Sequence, residues 1–162
     1  MNEPPNAPYT RHDENDAERL DRQWNELLQE LRLAQTGTQI LFAFLLSIAF
    51  QPRFQDADDF TKMVFAGTLI TSALAMGLFL APVSFHRIVF QQRVRHLMIP
   101  MADKMAAAGL IFLVAAIAGG LLLALDVVLS RSTALIVCGL VLSWFVVLWY
   151  VVPAWVKRAA SR

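Results

Sequence analysis

Four apolar runs that contain no charged residue constrain this chain more than any other feature of its sequence. They cover residues 34–50, 63–81, 105–125 and 134–152. A helix needs roughly 20 apolar residues to cross a hydrocarbon core about 30 Å thick, and each run comes close to that length. Hydrophobic residues make up 57% of the 162-residue chain, and their concentration in these runs is not typical of a soluble domain. The sequence therefore predicts an all-α integral membrane protein, a four-transmembrane-helix bundle.

The first run is continuous with a charged stretch, residues 15–33, that has a helical pattern of its own. Asn15 and Glu18 have the spacing of a capping box, which marks a helix N-terminus. Five apolar residues then form one stripe at helical spacing: Leu20, Trp24, Leu27, Leu28 and Leu31. The sequence predicts one long helix, amphipathic and cytoplasmic at its start, that leads directly into the first span. Two helices with a bend near residues 33–37 are the alternative.

The other segments are organised around these spans. Residues 1–14 contain three prolines and scattered polar residues, which is typical of a disordered tail. Residues 34–156 form the predicted bundle, with loops at 51–59 and 83–104, and residues 157–162 form a basic cytoplasmic tail. Prolines are expected to end three of the spans: Pro52, Pro82 and Pro153.

Basic residues are distributed unevenly between the two sides of the predicted bundle. Eleven lie on the side of the termini: Arg11, Arg19, Arg22, Arg32, Arg87, Arg93, Arg95, Lys104, Lys157, Arg158 and Arg162. Three lie on the opposite side: Arg53, Lys62 and Arg131. Because basic loops stay in the cytoplasm, we expect a multi-pass protein of the plasma (inner) membrane with both termini cytoplasmic. Aromatic residues near the end of the fourth run fit the inner interface: Trp149, Tyr150 and Trp155.

Opposite charges are expected to meet on the cytoplasmic side. Residues 1–32 carry eight acidic residues and four arginines, whereas the 83–104 loop carries four Lys or Arg residues and one acidic residue. Because an anionic leaflet repels an acidic amphipathic helix, we expect its apolar stripe to pack on protein. The nearest candidates are loop residues that also have helical spacing: Phe90, Val94, Leu97 and Met101. A coiled coil between subunits is the alternative.

Four polar residues interrupt the start of the first span: Gln35, Thr36, Thr38 and Gln39. Hydrocarbon offers these side chains no partners, so in a membrane they must face protein or water. One interpretation is a polar lining near the cytoplasmic mouth of a transport pathway. The other, which we favour, is hydrogen bonding between helices.

Small residues four apart indicate where helices can approach each other closely. They occur in the second and third spans: Ala73, Gly77, Ala116, Gly120 and Ala124. The acidic residue nearest a span is Asp126, at the outer end of the third. We expect it to pair with Arg131 at the interface, since ion coupling would place a carboxylate near the bilayer centre. Asp58 or Asp59 is expected to cap the second helix.

The sequence contains no constellation that predicts catalysis. Its three histidines lack metal-ligand spacing, Cys138 is alone, and there is neither a phosphate-binding glycine loop nor a nucleophile motif. We therefore expect no enzyme activity, no cofactor, no metal site and no nucleic-acid partner. The 83–104 loop offers candidates for contacts with anionic lipid or an acidic partner: His86, Arg87, Arg93 and Arg95.

Two stretches of the sequence carry a family resemblance. The first is WNELLQELR at 24–32, continued by QTG at 35–37 and QILFAFLL at 39–46, and the second is Ala81-Pro82 with His86-Arg87. Together they resemble a family of small uncharacterised actinobacterial four-helix membrane proteins, a domain of unknown function. The resemblance covers most of the chain after the tail, and it implies location and topology without supplying a catalytic residue.

These features predict a non-enzymatic integral membrane protein with a structural or accessory role, acting through helix–helix and cytoplasmic contacts. Its expected partners are the lipid bilayer and either a second copy of the chain or another membrane protein. A small channel or transporter subunit for an ion or small solute is the alternative, with Gln35, Thr38 and Gln39 near its entrance.

Overall fold

The computed structural model describes residues 16–89 and 95–160, and every regular element within these residues is helical. The elements are α1 (Asp16–Ala49), α2 (Pro52–Gln55), α3 (Asp59–Val89), α4 (Arg95–Val128), α5 (Arg131–Val146), a π-helical segment (Val147–Val151) and α6 (Val152–Ala160). Four stretches are long and apolar enough to cross a membrane: Glu18–Ala49, Asp59–Phe85, Met98–Val128 and Arg131–Ala159. The predicted all-helical chain with four apolar helices of spanning length is confirmed. The predicted tail at 1–14 and the Asn15 cap lie outside the described residues.

Helix α1 is a single unbroken helix of 34 residues. It passes from the charged stretch into the apolar run without a break, so the continuous-helix prediction is correct. The hydroxyls of Thr36 and Thr38 donate to the carbonyls of Arg32 and Ala34, one turn back, at 2.9 and 2.7 Å. These local bonds satisfy both hydroxyls within the helix, so the polar residues at 36 and 38 do not interrupt it.

Pro82, Pro100 and Pro153 lie inside helical segments, which corrects the sequence-based boundaries, whereas α1 ends at Ala49, before Pro52, as predicted. Helix α3 continues through Pro82 to Val89, and α4 contains Pro100, so most of the expected 83–104 loop is helical. Pro52 opens the short helix α2, where its missing N–H costs nothing. At Pro153 the chain also stays helical. Just before it, the N–H of Val152 donates to the carbonyl of Val147, five residues back, in the π-helical segment.

The core of the molecule lies between α1, α3 and α4. One cluster of buried side chains combines Leu31 of α1 with Ala75 and Phe79 of α3. A second cluster combines Leu45, Phe65 and Leu123. Because Leu31 meets Phe79 while Leu45 meets Phe65, α1 and α3 run antiparallel.

Helix α5 lies on the flank of this core. Among the described helices, its backbone comes close only to that of α4 and to its own continuation. Its buried residues are Ala134 and Cys138, and the Cys138 thiol donates to the carbonyl of Ala118 at 3.5 Å. Its large apolar side chains, such as Ile136 and Leu140, are exposed. The four-helix bundle expected from the sequence thus consists of three packed helices with a fourth whose backbone lies beside α4.

Candidate functional site

The polar residues at the start of the first apolar run do not form one cluster. The amide nitrogen of Gln35 donates to the backbone carbonyl of Phe79 at 2.8 Å, which joins α1 to α3. This carbonyl stands three residues before Pro82, whose missing N–H leaves the carbonyl of Leu78 without its helical donor. Gln35 therefore adds a polar contact beside a weakened part of α3. A hydrogen bond between helices is the role that we favoured for these polar residues from the sequence.

The neighbouring polar side chains point in different directions. Thr38 is fully buried between helices, and its hydroxyl is bonded within α1. Thr36 and Gln39 are exposed on the outer side of α1. The structure consequently separates Gln35 and Thr38, which belong to the core, from Thr36 and Gln39, which do not.

Two glycines of α4, Gly109 and Gly119, lie in close contact with side chains of α3. A Cβ added at Gly109 would lie 2.6 Å from the ring of Phe79, and one added at Gly119 would overlap the hydroxyl of Thr68. Thr68 itself is buried and donates to the carbonyl of Val64 at 2.6 Å. The two helices are therefore held at a separation that only glycine permits at these positions.

The predicted small-residue positions are only partly at this interface. Ala116 is completely buried, whereas Gly120 faces α1, where an added Cβ would contact Leu41 at 3.4 Å. Three others are exposed within this chain: Ala73, Gly77 and Ala124. A Cβ on Gly77 would meet nothing within 4 Å. Gly109 and Gly119 were missed, although Gly109 lies seven residues before Ala116 and so shares its face.

Arg131 is the centre of a charged group at the end where α3 begins and α4 ends. Its guanidinium donates to both carboxylate oxygens of Asp126, at 3.1 and 3.2 Å, and lies 2.7 Å from Asp58. It also lies over the ring of Phe60, 4.4 Å from the ring centre. The hydroxyl of Thr61 contacts Asp126 at 3.5 Å. The predicted pairing of Asp126 with Arg131 is confirmed.

Asp58 has two roles that its position explains. One oxygen accepts the backbone N–H of Thr61 at 3.0 Å, so Asp58, one of the two predicted candidates, caps the first turn of α3. The hydrogen bond from Arg131, with smaller contributions from Thr61, holds the pKa of Asp58 well below its ordinary value of 3.8. Its contact with Arg131 could not be predicted from the sequence, because the two residues lie 73 positions apart and no local pattern relates them.

The apolar stripe of α1 packs on its own chain. Leu31 is buried, and Leu27 packs beside it against the Phe79 cluster, while Leu20 and Leu28 are half-buried. Trp24 lines an apolar pocket with residues of α3 and α4: Pro82, Phe85, Met98, Met101, Ala102 and Met105. Met101 is thus a partner of the stripe, as predicted. Phe90, Val94 and the side chain of Leu97 lie outside the described residues.

The basic candidates of the 83–104 loop are mostly beyond what the structure describes. Arg87 is exposed near the end of α3. Arg93 lies outside the described residues, as do the side chains of His86 and Arg95. In the described ranges 16–89 and 95–160, no three His, Cys, Asp or Glu side chains are placed to hold a metal ion.

The fold and these contacts define a class: an all-helical protein whose four apolar helices are long enough to cross a membrane and whose polar side chains tie helices together. Within that class the chain belongs to a family of unknown function, DUF6328, whose model matches residues 13–153. No curated protein and no solved structure matches the chain.

Proposed function

We propose that this chain is a non-enzymatic multi-pass protein of the plasma membrane, with both termini cytoplasmic. In this proposal it serves as a structural or accessory subunit that acts through contacts between helices and on the cytoplasmic side. Its partners are the bilayer and either a second copy or another membrane protein. No cofactor or nucleic acid takes part.

The observation that carries the proposal is the use of polar side chains inside the apolar helices. Gln35 bonds to a carbonyl of the neighbouring helix, and Thr38, Thr68 and Ser72 bond to carbonyls of their own helices. Each of these groups therefore has its hydrogen-bond partner within the helical core. A second observation agrees, since a groove of about 480 Å³ between α1 and α4 is lined by apolar residues and glycines: Leu33, Ala34, Gly37, Leu41, Leu113, Ile117, Gly120 and Leu121.

The proposed orientation is supported by the charges at the two ends. The end bearing Asp58, Asp126 and Arg131 carries three basic residues in all: Arg53, Lys62 and Arg131. The opposite end carries most of the basic residues of the chain. This asymmetry is the one that retains loops in the cytoplasm.

Two measurements test the proposal. The chain should resist alkaline extraction from membranes, and tags on both termini should react only after the cells are opened. Purified protein in liposomes should then pass no more ions or small solutes than protein-free liposomes. Extraction into the soluble fraction or an externally accessible terminus would contradict the membrane assignment, and solute flux would support the channel alternative instead.

A further inference from the structure

Gln39 differs from Gln35 in its environment, although the two residues lie one helical turn apart on α1. Gln35 is half-buried and bonded to the carbonyl of Phe79. Gln39 is exposed, and within residues 16–89 and 95–160 its amide has no hydrogen-bond partner. The nearby hydroxyls of Thr36 and Ser47 are already bonded to carbonyls of α1. The amide of Gln39 is therefore the polar group on this side of α1 that still needs a partner.

Gln39 lies deep enough in the apolar run that an amide without a hydrogen-bond partner would be costly in a membrane. It is the sixth residue of the uncharged run 34–50, so its backbone lies about 8 Å inside the start of that run at 1.5 Å per residue. In a membrane this position is in hydrocarbon, where neither water nor lipid tails can bond to an amide. This step rests on the proposed membrane location.

The surface beside Gln39 permits close approach by another helix. Thr36, Ala43 and Ser47 are all exposed, and their spacing of seven and four residues places them on one face of α1. Small side chains at such spacing let two helix backbones come close. Ile40 and Phe44, which flank the face, are 67% and 64% exposed and can pack on the partner. We call Thr36, Gln39, Ala43 and Ser47 the Gln39 face.

We propose that the Gln39 face binds the same face of a second copy of this chain, with the two Gln39 amides hydrogen-bonded to each other. A primary amide has both donors and an acceptor, so it is complementary to itself. Copies with the same topology present their α1 helices in parallel. A two-fold axis along the membrane normal then places each Gln39 opposite its counterpart, and one surface serves both subunits.

Cross-linking in membranes tests the geometry. The single native cysteine is first removed by Cys138→Ala, and then Ala43→Cys or, as a matched control, Ile70→Cys is introduced on the exposed side of α3. After an alkaline wash, oxidation should convert Ala43→Cys to a disulfide-linked dimer much faster than Ile70→Cys. Equal rates, or a product of a size other than the dimer, would overturn the inference. Loss of the protein in the wash would instead contradict the membrane location itself.

Two substitutions of Gln39 test the amide. Gln39→Leu should lower the dimer association constant in detergent by about 3-fold to 20-fold, the range that membrane hydrogen bonds of known strength imply. Gln39→Asn keeps the amide and should retain most of the association. Thermal unfolding of the monomer should be the same for both variants, since Gln39 has no partner in the described part of the chain. An unchanged association constant for Gln39→Leu would refute the proposed amide pair.

Discussion

Nη1 of Arg131 lies 2.7 Å from a carboxylate oxygen of Asp58, and this ion pair joins the start of α5 to the turn that precedes α3. The contact is important because the backbone of α5 approaches only that of α4 among the other described helices. The side chain of Arg131, the first residue of α5, adds contacts with Asp58 and with Phe60 of α3. Asp126 strengthens this attachment from α4, and its side chain is only 13% exposed.

The Asp58–Arg131 pair predicts a pH dependence of stability. The pKa of Asp58 is lowered in the folded chain, so its contribution is complete above the ordinary value of 3.8 and is lost as the pH falls toward the folded pKa. We expect the melting temperature in detergent to fall as the pH drops below about 4, and Asp58→Asn to flatten part of that fall. Asp59→Asn, a change in an exposed neighbouring carboxylate, is the control. An identical pH profile for wild type and Asp58→Asn would contradict this assignment.

Gln35 should contribute to the stability of the fold through its bond to Phe79. Gln35→Leu removes the amide while it keeps most of the volume, so we expect a loss of about 1 kcal/mol, within the range of hydrogen bonds between membrane helices. Gln39→Leu is the matched control one turn away, and the monomer should tolerate it. The free energy of unfolding in detergent measures both. Equal losses would mean that Gln35 is not distinguished by its interhelical bond.

Gly119 should tolerate no side chain. The Cβ of Gly119→Ala would overlap the hydroxyl of Thr68, and overpacking of this kind costs about 1–3 kcal/mol. Gly77→Ala is the control, because a Cβ there meets nothing and the higher helix propensity of alanine adds up to about 1 kcal/mol of stability. Thermal unfolding of the two variants should therefore shift in opposite directions. A stabilised Gly119→Ala variant would show that α3 and α4 are not in such close contact.

Leu31 should be essential to the packing of the charged part of α1. It is 4% exposed in the Phe79 cluster, so Leu31→Ala should cost about 2–5 kcal/mol. Leu33 is 76% exposed, and Leu33→Ala should change the free energy of unfolding by less than about 0.5 kcal/mol. If both variants were equally stable, the stripe of α1 would have to pack on another chain, as in the coiled-coil alternative.

Much of the helical architecture could be predicted from the sequence, but the helix ends and interfaces could not. The continuous α1, the cap by Asp58 and the pairing of Asp126 with Arg131 depend on residues close in sequence, so local patterns suffice to predict them. Pro82 and Pro153 were wrongly predicted to end their spans, because the chain stays helical at both. Pro82 lies fully buried within α3, and Gln35 bonds to the carbonyl of Phe79 nearby. This contact comes from another helix and leaves no local signal.

By itself, the sequence determined that four apolar helices of spanning length would form, because charge and hydropathy act on each segment separately. Only the tertiary structure decided the pairing of individual groups. It placed Gln35 against Phe79 but left Gln39 exposed, and it selected Gly109 and Gly119, rather than Gly77, for close contact. Those outcomes depend on how each helix is rotated and on which neighbour it meets. A pattern of residue types within one helix contains neither piece of information.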